Sequence, residues 1–97
     1  MEQISIAGIP WYSLEHFDEI KALMEDGHRL AATYSQWRLA AEQTERKLRR
    51  EGKTVVRAHL EPNAFREHCR RHGLNVDSKG RVHFANWTAR QHHAKVE

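Results

Sequence analysis

The stretch from Lys53 to Pro62, KTVVRAHLEP, decides the fold class because it predicts a β-strand in a chain whose other long patterns are helical. Its residues alternate between two faces, with Val56, Ala58 and Leu60 on one and Val55, Arg57 and His59 on the other. Pro62 has no N–H for a strand ladder and suits the first turn of a helix. We therefore predict a strand that is followed at once by a helix.

A second strand is indicated near the start of the chain by the stretch QISIAG, residues 3–8. Ile4 and Ile6 would lie on one face and Ser5 on the other, and the strand would end at Gly8. A ribbon of only two strands is marginal unless it is supported. We therefore expect helices to cover it, or a second copy of the chain to extend it by homodimerisation through a strand edge.

The first of two helices predicted between the strands follows Ser13, which favours the N-cap position. Tyr12 can pack onto Phe17 across that cap. Gly27 is expected to end the helix. Its apolar stripe consists of Leu14, Phe17, Ile20, Leu23 and Met24.

The second helix is predicted to start at the capping box of Thr33 and Gln36 and to end at Gly52. Apolar and small residues recur at helical spacing, which indicates a face that packs in the core rather than a cofactor site. These residues are Trp37, Ala40, Ala41, Thr44 and Leu48.

The stretch REHCRRHGL, residues 66–74, predicts the end of a third helix that starts at Pro62. Gly73 suits the left-handed residue that ends many helices, and Leu74 can fold back onto Cys69. On this helix one face carries a small set of side chains at positions i, i+3, i+4 and i+7. They are Phe65, His68, Cys69 and His72.

The segment from Asn75 onwards has two interpretations. A fourth helix, capped by Asp77 or Ser78, is favoured. Its inner side would carry Phe84, Trp87 and Thr88. The alternative is a strand through Val82 and Phe84, because Gly80 weakens a helix at that point.

These patterns predict an α+β fold of about four helices and two short strands in the order β-α-α-β-α-α. We expect residues 1–97 to form one domain, with a tail that frays from about residue 92. No run of 18 apolar residues and no signal sequence is seen, so we expect no membrane partner. Cys69 is the only cysteine, which points to a reducing cytoplasm.

Charge is distributed unevenly along the chain. Residues 1–32 carry two bases and six acids, whereas residues 33–97 carry 14 bases and seven acids. A basic surface of this kind could bind the phosphates of a nucleic acid. The candidate residues for that surface are Arg46, Arg49, Arg50, Lys53, Arg57, Arg66, Arg70 and Arg81.

A metal site is suggested by His68 and His72, since imidazoles four residues apart on a helix reach one point. His59 or His83 could complete a tetrahedral set. The favoured interpretation is that these imidazoles are partly buried and hydrogen-bonded, because no second cysteine or paired ligand motif is present. We predict no cofactor.

A ribonuclease-like activity could be built from His59, His68 and His72, with Arg57 steadying phosphate charge. The sequence shows no glycine-rich phosphate loop, nucleophile elbow or paired-carboxylate motif. We therefore expect a protein that is not an enzyme.

Several motifs together resemble a group of short bacterial proteins with no assigned activity. They are Pro10-Trp11 before an acidic helix, ATYSQW, GKTVVRA, EPNAF with the later Cys and HGL, and VDSKGRVHFAN. The resemblance implies a bacterial cytosolic origin and a mixed helical fold, and it transfers no site residue. The chain departs from that pattern at Glu61, where Asp would be the better cap, and at Gly80, where a helix former is expected.

The function that we expect is that of a small bacterial accessory protein acting by macromolecular contact, above all by self-association as a homodimer, or by binding a protein partner. A nucleic-acid-binding regulator that uses the basic surface is the first alternative. A small metal-binding or ribonuclease-like protein is the second.

Overall fold

The computed structural model describes the backbone of residues 5–96 and the side chains of residues 5–92. It contains strand β1 (Ile6–Trp11), helix α1 (Phe17–Leu23), a 3-10 turn (Gly27–Arg29), helix α2 (Tyr34–Arg50), strand β2 (Thr54–His59), helix α3 (Pro62–His72) and helix α4 (Ser78–Val96). The α+β class and the order β-α-α-β-α-α are therefore confirmed. The predicted fraying from about residue 92 concerns side chains that lie largely outside the described part and stays a prediction.

The two strands pair in parallel, with Ile6 opposite Thr54 and Trp11 opposite His59. Residues directly opposite each other share a face of the sheet, and successive residues alternate between faces. Helix α4 packs along both strands on one face, where Gly8 and Ala58 lie, and α2 packs on the other. The ribbon is thus supported between helical layers, as its small size requires.

Aromatic side chains fill the side of the core that faces α2. Trp37 of α2 meets Trp11 edge-on at a ring-centroid distance of 5.2 Å and Tyr12 at 4.7 Å. Phe17 and Tyr34 complete this group around Trp37. On the opposite side of the sheet, Phe65 and Phe84 make an edge-on pair between α3 and α4 at 5.7 Å.

Three local predictions about helix ends are confirmed. Thr33 Oγ1 accepts a hydrogen bond from the Gln36 N–H at the start of α2. Gly73 is left-handed, with φ 63°, and the Leu74 N–H donates to the Cys69 carbonyl at 2.8 Å. The left-handed Gly73 and the hydrogen bond from Leu74 to Cys69 are the features of a Schellman motif, which provides donors for the last carbonyls of α3.

The predicted bounds of β1 and α1 were wrong. β1 continues past Gly8 through Pro10 to Trp11, and Ile4 lies outside the described residues. Ser13 caps only a turn, in which its Oγ accepts from the His16 N–H at 3.2 Å, and α1 begins four residues later at Phe17. Leu14, a member of the apolar stripe predicted for this helix, is consequently 73% exposed.

The segment after Asn75 is a helix, and the strand alternative is wrong. Asp77 Oδ1 accepts from the Gly80 N–H at 3.1 Å and so caps the first turn of α4. A Cβ at Gly80 would lie 2.3 Å from the Asn75 carbonyl oxygen. The absence of a side chain at Gly80 therefore lets α4 lie close to the backbone of Asn75. Trp87, expected on the inner side, is 38% exposed, and the positions buried instead are Phe84, Ala85 and Ala89.

Candidate functional site

Among the residues that the structure describes, one edge of the two-stranded sheet has no partner, and this free edge belongs to β2. The N–H groups of Thr54 and Leu60 donate to the carbonyls of Ser5 and Trp11, so these even-numbered residues direct their backbone groups towards β1. Because that direction alternates along a strand, the odd-numbered residues direct theirs away from β1. Among the described residues, no hydrogen bond involves the N–H groups of Val55, Arg57 and His59.

The outer edge of β1 is closed by contrast. The same alternation directs the backbone groups of Ile6, Gly8 and Pro10 away from β2. The Gly8 N–H donates to Asn86 Oδ1 of α4 at 3.3 Å, and Pro10 has no N–H to offer. An incoming strand would therefore find a donor row on β2 but not on β1.

Arg57, at the centre of the free edge, is paired within its own chain. Its guanidinium makes two hydrogen bonds to the carboxylate of Glu45, at 2.7 and 2.9 Å, and lies 3.9 Å from the ring centroid of Trp11. The Arg57 hydrogen bonds hold the pKa of the buried Glu45 carboxyl below its usual range, against the opposing effect of burial. The positive charge of Arg57, at the midpoint of the free edge, is therefore neutralised by Glu45 of the same chain.

Arg81, another residue of the predicted basic surface, is paired with the partly buried carboxylate of Asp26. It donates to both oxygens of Asp26, at 2.8 and 3.2 Å, and its side chain is only 11% exposed. Arg70 is exposed but pairs with Glu67 in the same helix. These contacts reduce the number of arginines that are available to phosphate groups.

The remaining bases of that surface lie at the end of α2, just before β2, and on α3. Arg49 lies 3.6 Å from Glu45 and keeps 59% of its side chain exposed. Within the part of the chain that the structure describes, no ion pair is formed by Arg46, Arg50, Lys53 or Arg66.

The structure brings together the two histidines of the predicted metal pair and adds a third. The rings of His68 and His72 lie 4.3 Å apart between centroids, and His83 of α4 lies 5.0 Å from the first and 4.9 Å from the second. His68 Nε2 and His83 Nδ1 share a hydrogen bond of 2.8 Å. Trp87 lies beside this group, 5.3 Å from the His68 ring. We call His68, His72 and His83 the histidine cluster.

The histidine cluster runs from the interior to the surface. His68 is 7% exposed, His83 is partly buried and His72 is exposed. Burial, followed by the neighbouring charges of His72 and His83, lowers the pKa of His68 and so favours its neutral form. As the rings are placed, no group of three or more His, Cys, Asp or Glu side chains among the described residues is arranged to hold a metal ion.

His59, the third residue of the ribonuclease-like set, lies apart from the other two. It lines a cleft of about 300 Å³ at the carboxyl ends of the strands, together with His16 and Glu61. That cleft does not include His68 or His72, which line a different one with Trp87. The three histidines of that hypothesis are thus not brought to a single site.

Sequence reasoning missed the partners that define these sites. The sequence around Asn86 and Asp26 does not indicate their roles, because each of them accepts a hydrogen bond from a residue far away in the chain. Glu45 lies on α2, 12 residues before Arg57, so the local sequence did not indicate this pairing. His83 was named, as an alternative to His59, as a residue that could complete the metal site of His68 and His72, but nothing in its own segment indicated that it contacts His68.

No protein-family model, curated protein or solved structure matches this chain. Among the described residues, no helix combines the length and the apolar character needed to cross a membrane.

Proposed function

We propose that this protein acts by macromolecular contact and without catalysis, by pairing the free edge of β2 with the same edge in a second copy. The observation that carries the proposal is the contrast between the two edges of the sheet. Unpaired strand edges are templates for the addition of another strand, and proteins usually cover or blunt them. Here β1 is blunted by Pro10 and Asn86, whereas β2 is not.

Antiparallel pairing of two β2 strands supports a symmetric dimer. A twofold axis places the same edge on both partners, and the result is a four-stranded sheet in the order β1-β2-β2-β1. The outward groups of Val55, Arg57 and His59 would all find partners in that sheet. Three or more strands with a packed face are also more stable than two.

Charge does not oppose this dimer. Two arginines brought close together across a twofold axis would normally repel each other. Each Arg57 is already neutralised by its own Glu45 at 2.7 Å, so the edge presents no bare cation at its midpoint. This pairing accounts for a charged residue in the middle of a contact edge.

The test is a measurement of molar mass against concentration for the natural chain and for Val55→Pro. We expect the natural chain to approach twice its 11.4 kDa as concentration rises. Val55→Pro removes one outward N–H from each copy and leaves the ladder to β1 intact, since proline is tolerated on a free strand edge. Losing two hydrogen bonds of about 1 kcal/mol each should raise the dissociation constant about 10- to 100-fold.

Val55→Thr is the matched control, because it keeps the N–H and the β-branched shape. It should dimerise as the natural chain does. A natural chain that stays monomeric at every concentration would refute self-association. Equal dimerisation by Val55→Pro would show that the contact lies elsewhere.

Binding to nucleic acid is the second candidate, favoured by the unpaired bases at the end of α2. Arg46, Arg50 and Lys53 follow one another closely and have no carboxylate partner among the described side chains. Such a group could neutralise phosphates and give binding that falls steeply with salt.

We expect any such binding to weaken in Arg46→Ala/Arg50→Ala. If both residues contact phosphates, the slope of log affinity against log salt should become shallower by about 1.8 on duplex DNA. Arg70→Ala is the control, because Glu67 already pairs with that arginine. An absence of binding to DNA and RNA at low salt would remove this candidate and leave self-association untouched.

A further inference from the structure

The outer face of α4 carries a groove that no other described element covers. A cleft of about 430 Å³ lies along this face, and every residue that lines it belongs to α4. These residues are Ser78, Lys79, Val82, His83, Asn86 and Arg90. Val82 is 53% exposed and lies one helical turn from Lys79. We call this surface the α4 groove.

The α4 groove carries positive charge without a compensating acid. Helix α4, Ser78–Val96, contains no aspartate or glutamate. Lys79 and Arg90 are both exposed, and neither forms an ion pair with any described side chain. The two bases therefore remain available to an acidic partner.

Two other polar groups of the α4 groove already have partners in their own chain. His83 shares a hydrogen bond with His68, and Asn86 accepts one from the Gly8 N–H. The groups that remain to recognise a partner are the two bases and the exposed Val82. The partner that fits them is acidic and carries an exposed apolar side chain.

A surface of that kind lies at the start of α1 in the same chain. Leu14 is 73% exposed, the highest value for a large apolar side chain in the part of the chain that the structure describes. Glu15, Asp18 and Glu19 are exposed beside it in the sequence, and residues 13–20 contain no lysine or arginine. None of these three acids forms an ion pair with a described side chain. We call Leu14, Glu15, Asp18 and Glu19 the acidic patch.

The acidic patch and the α4 groove complement each other in charge and in apolar character. The patch presents an exposed leucine among acids, and the groove presents an exposed valine among bases. Opposite charges align such a contact, and burial of the apolar side chains stabilises it. Leu14 and Val82 are both exposed in the single chain, so neither covers the other there. A second copy of the chain is therefore the occupant for which both surfaces are present.

We propose that the acidic patch of one chain docks into the α4 groove of a second copy. Because the contact joins two different surfaces, it is head-to-tail and can link chains one after another. It uses neither edge of the sheet, so it goes beyond dimerisation through β2, and either proposal can fail while the other stands. Salt screens the charges of this contact, so the molar mass at high salt reports the strand edge alone.

The test exchanges the charges of the two surfaces. The patch variant is Glu15→Lys/Asp18→Lys, the groove variant is Lys79→Glu/Arg90→Glu, and a third variant carries all four changes. Molar mass is measured against concentration in about 0.01 M and about 1 M salt, where surface charges are weakly and strongly screened. The rise in molar mass at low salt reports the head-to-tail contact, whether or not the β2 edges also pair.

We expect the natural chain to show this rise. The patch variant and the groove variant should each lose it, with a dissociation constant at least about 10-fold larger. The variant with all four changes should regain it, because opposite charges again face each other. Greater repulsion between chains does not explain a loss in the groove variant, since its change of four units takes the formal net charge from +3 to −1. The absence of a rise in the natural chain, or in the variant with all four changes, would overturn the proposal.

Leu14→Asn tests the apolar part of the contact without a change in net charge. It should raise the dissociation constant about 10-fold, because a leucine is no longer buried between the chains. Leu39→Asn is the matched control, since Leu39 is 58% exposed on α2, outside both surfaces, and it should associate like the natural chain. All the substituted side chains are exposed, so thermal unfolding should show that each variant keeps its fold. Unchanged association by Leu14→Asn, or an equal loss in Leu39→Asn, would contradict the proposal.

Discussion

Replacing Asp26 with asparagine should lower the free energy of unfolding by about 3 kcal/mol, the low end of the range for a broken buried ion pair. Asp26 accepts two hydrogen bonds from Arg81, and the two side chains are only 17% and 11% exposed. Without the carboxylate, a largely buried guanidinium remains without its hydrogen-bonded counter-charge. Urea denaturation of the two proteins measures the difference.

The same ion pair predicts an acid sensitivity with a defined sign. Hydrogen bonding by Arg81 lowers the pKa of Asp26 from its ordinary value of 3.8. The folded state therefore binds fewer protons than the unfolded state in that range. The contribution of Asp26 is present above about pH 4 and is lost as pH falls through the lowered pKa. Asp26→Asn should lack this part of the acid transition.

Glu67→Gln is the control for that experiment. Glu67 also pairs with arginines, and its pKa is lowered to about 2, but both the carboxylate and its partners are well exposed. Water and salt screen such pairs, so the stability of this variant should change little. A loss in Glu67→Gln as large as that in Asp26→Asn would contradict the argument from burial.

Replacing Gly8 with alanine should lower the free energy of unfolding by at least about 3 kcal/mol, the upper end of the cost of overpacking. A Cβ at Gly8 would lie 2.0 Å from the Ala85 carbonyl oxygen and 3.1 Å from the Ala89 Cβ. Backbone atoms cannot move aside as a flexible side chain can. Helix α4 would have to leave β1, which also breaks the hydrogen bond from Gly8 to Asn86.

Gly52→Ala is the matched control for steric overlap. Gly52 has φ 85°, which strains any other residue, but an added Cβ there would have no atom within 4 Å. Its cost should be about 1–2 kcal/mol from backbone strain alone. If Gly8→Ala were at least as stable as Gly52→Ala, then α4 could move away from β1 with no loss in the free energy of unfolding, and the argument from steric overlap would be wrong. Chemical denaturation of both variants decides the point.

Predictions that depend on neighbours within one helix were reliable. Thr33 caps α2, Pro62 opens α3, and Gly73 ends it with a left-handed residue. Each feature involves hydrogen bonds or dihedral preferences over three to five residues, which the local sequence specifies. The prediction that Ser13 caps α1 was wrong, because Ser13 caps a separate turn before the helix. A serine can cap either a turn or a helix, and the residue alone does not show which of these structures will form.

Predictions that depend on amphipathic spacing were only partly right. Trp37 and Ala41 are buried as expected, but Ala40 and Thr44 of the predicted stripe are exposed, and the charged Glu45, which lies outside that stripe, is buried. Its burial is possible because Arg57 of β2 supplies two hydrogen bonds from 12 residues away. The pattern of one helix does not reveal a partner in a strand.

By itself the sequence determined the α+β class, the order of the elements and most helix ends, because short-range forces decide these. Only the tertiary structure decided that the strands are parallel, that the outer edge of β2 has no partner among the described residues, and that Arg81 pairs with Asp26 in a largely buried position. It also decided that His83 joins His68. The hydrogen bonds that decide these features join residues far apart in the chain. The separations are 78 positions for Gly8 and Asn86, 55 for Asp26 and Arg81, and 15 for His68 and His83. Such pairings arise when packed helices bury their apolar faces, and no local pattern of residues specifies which side chains will then meet.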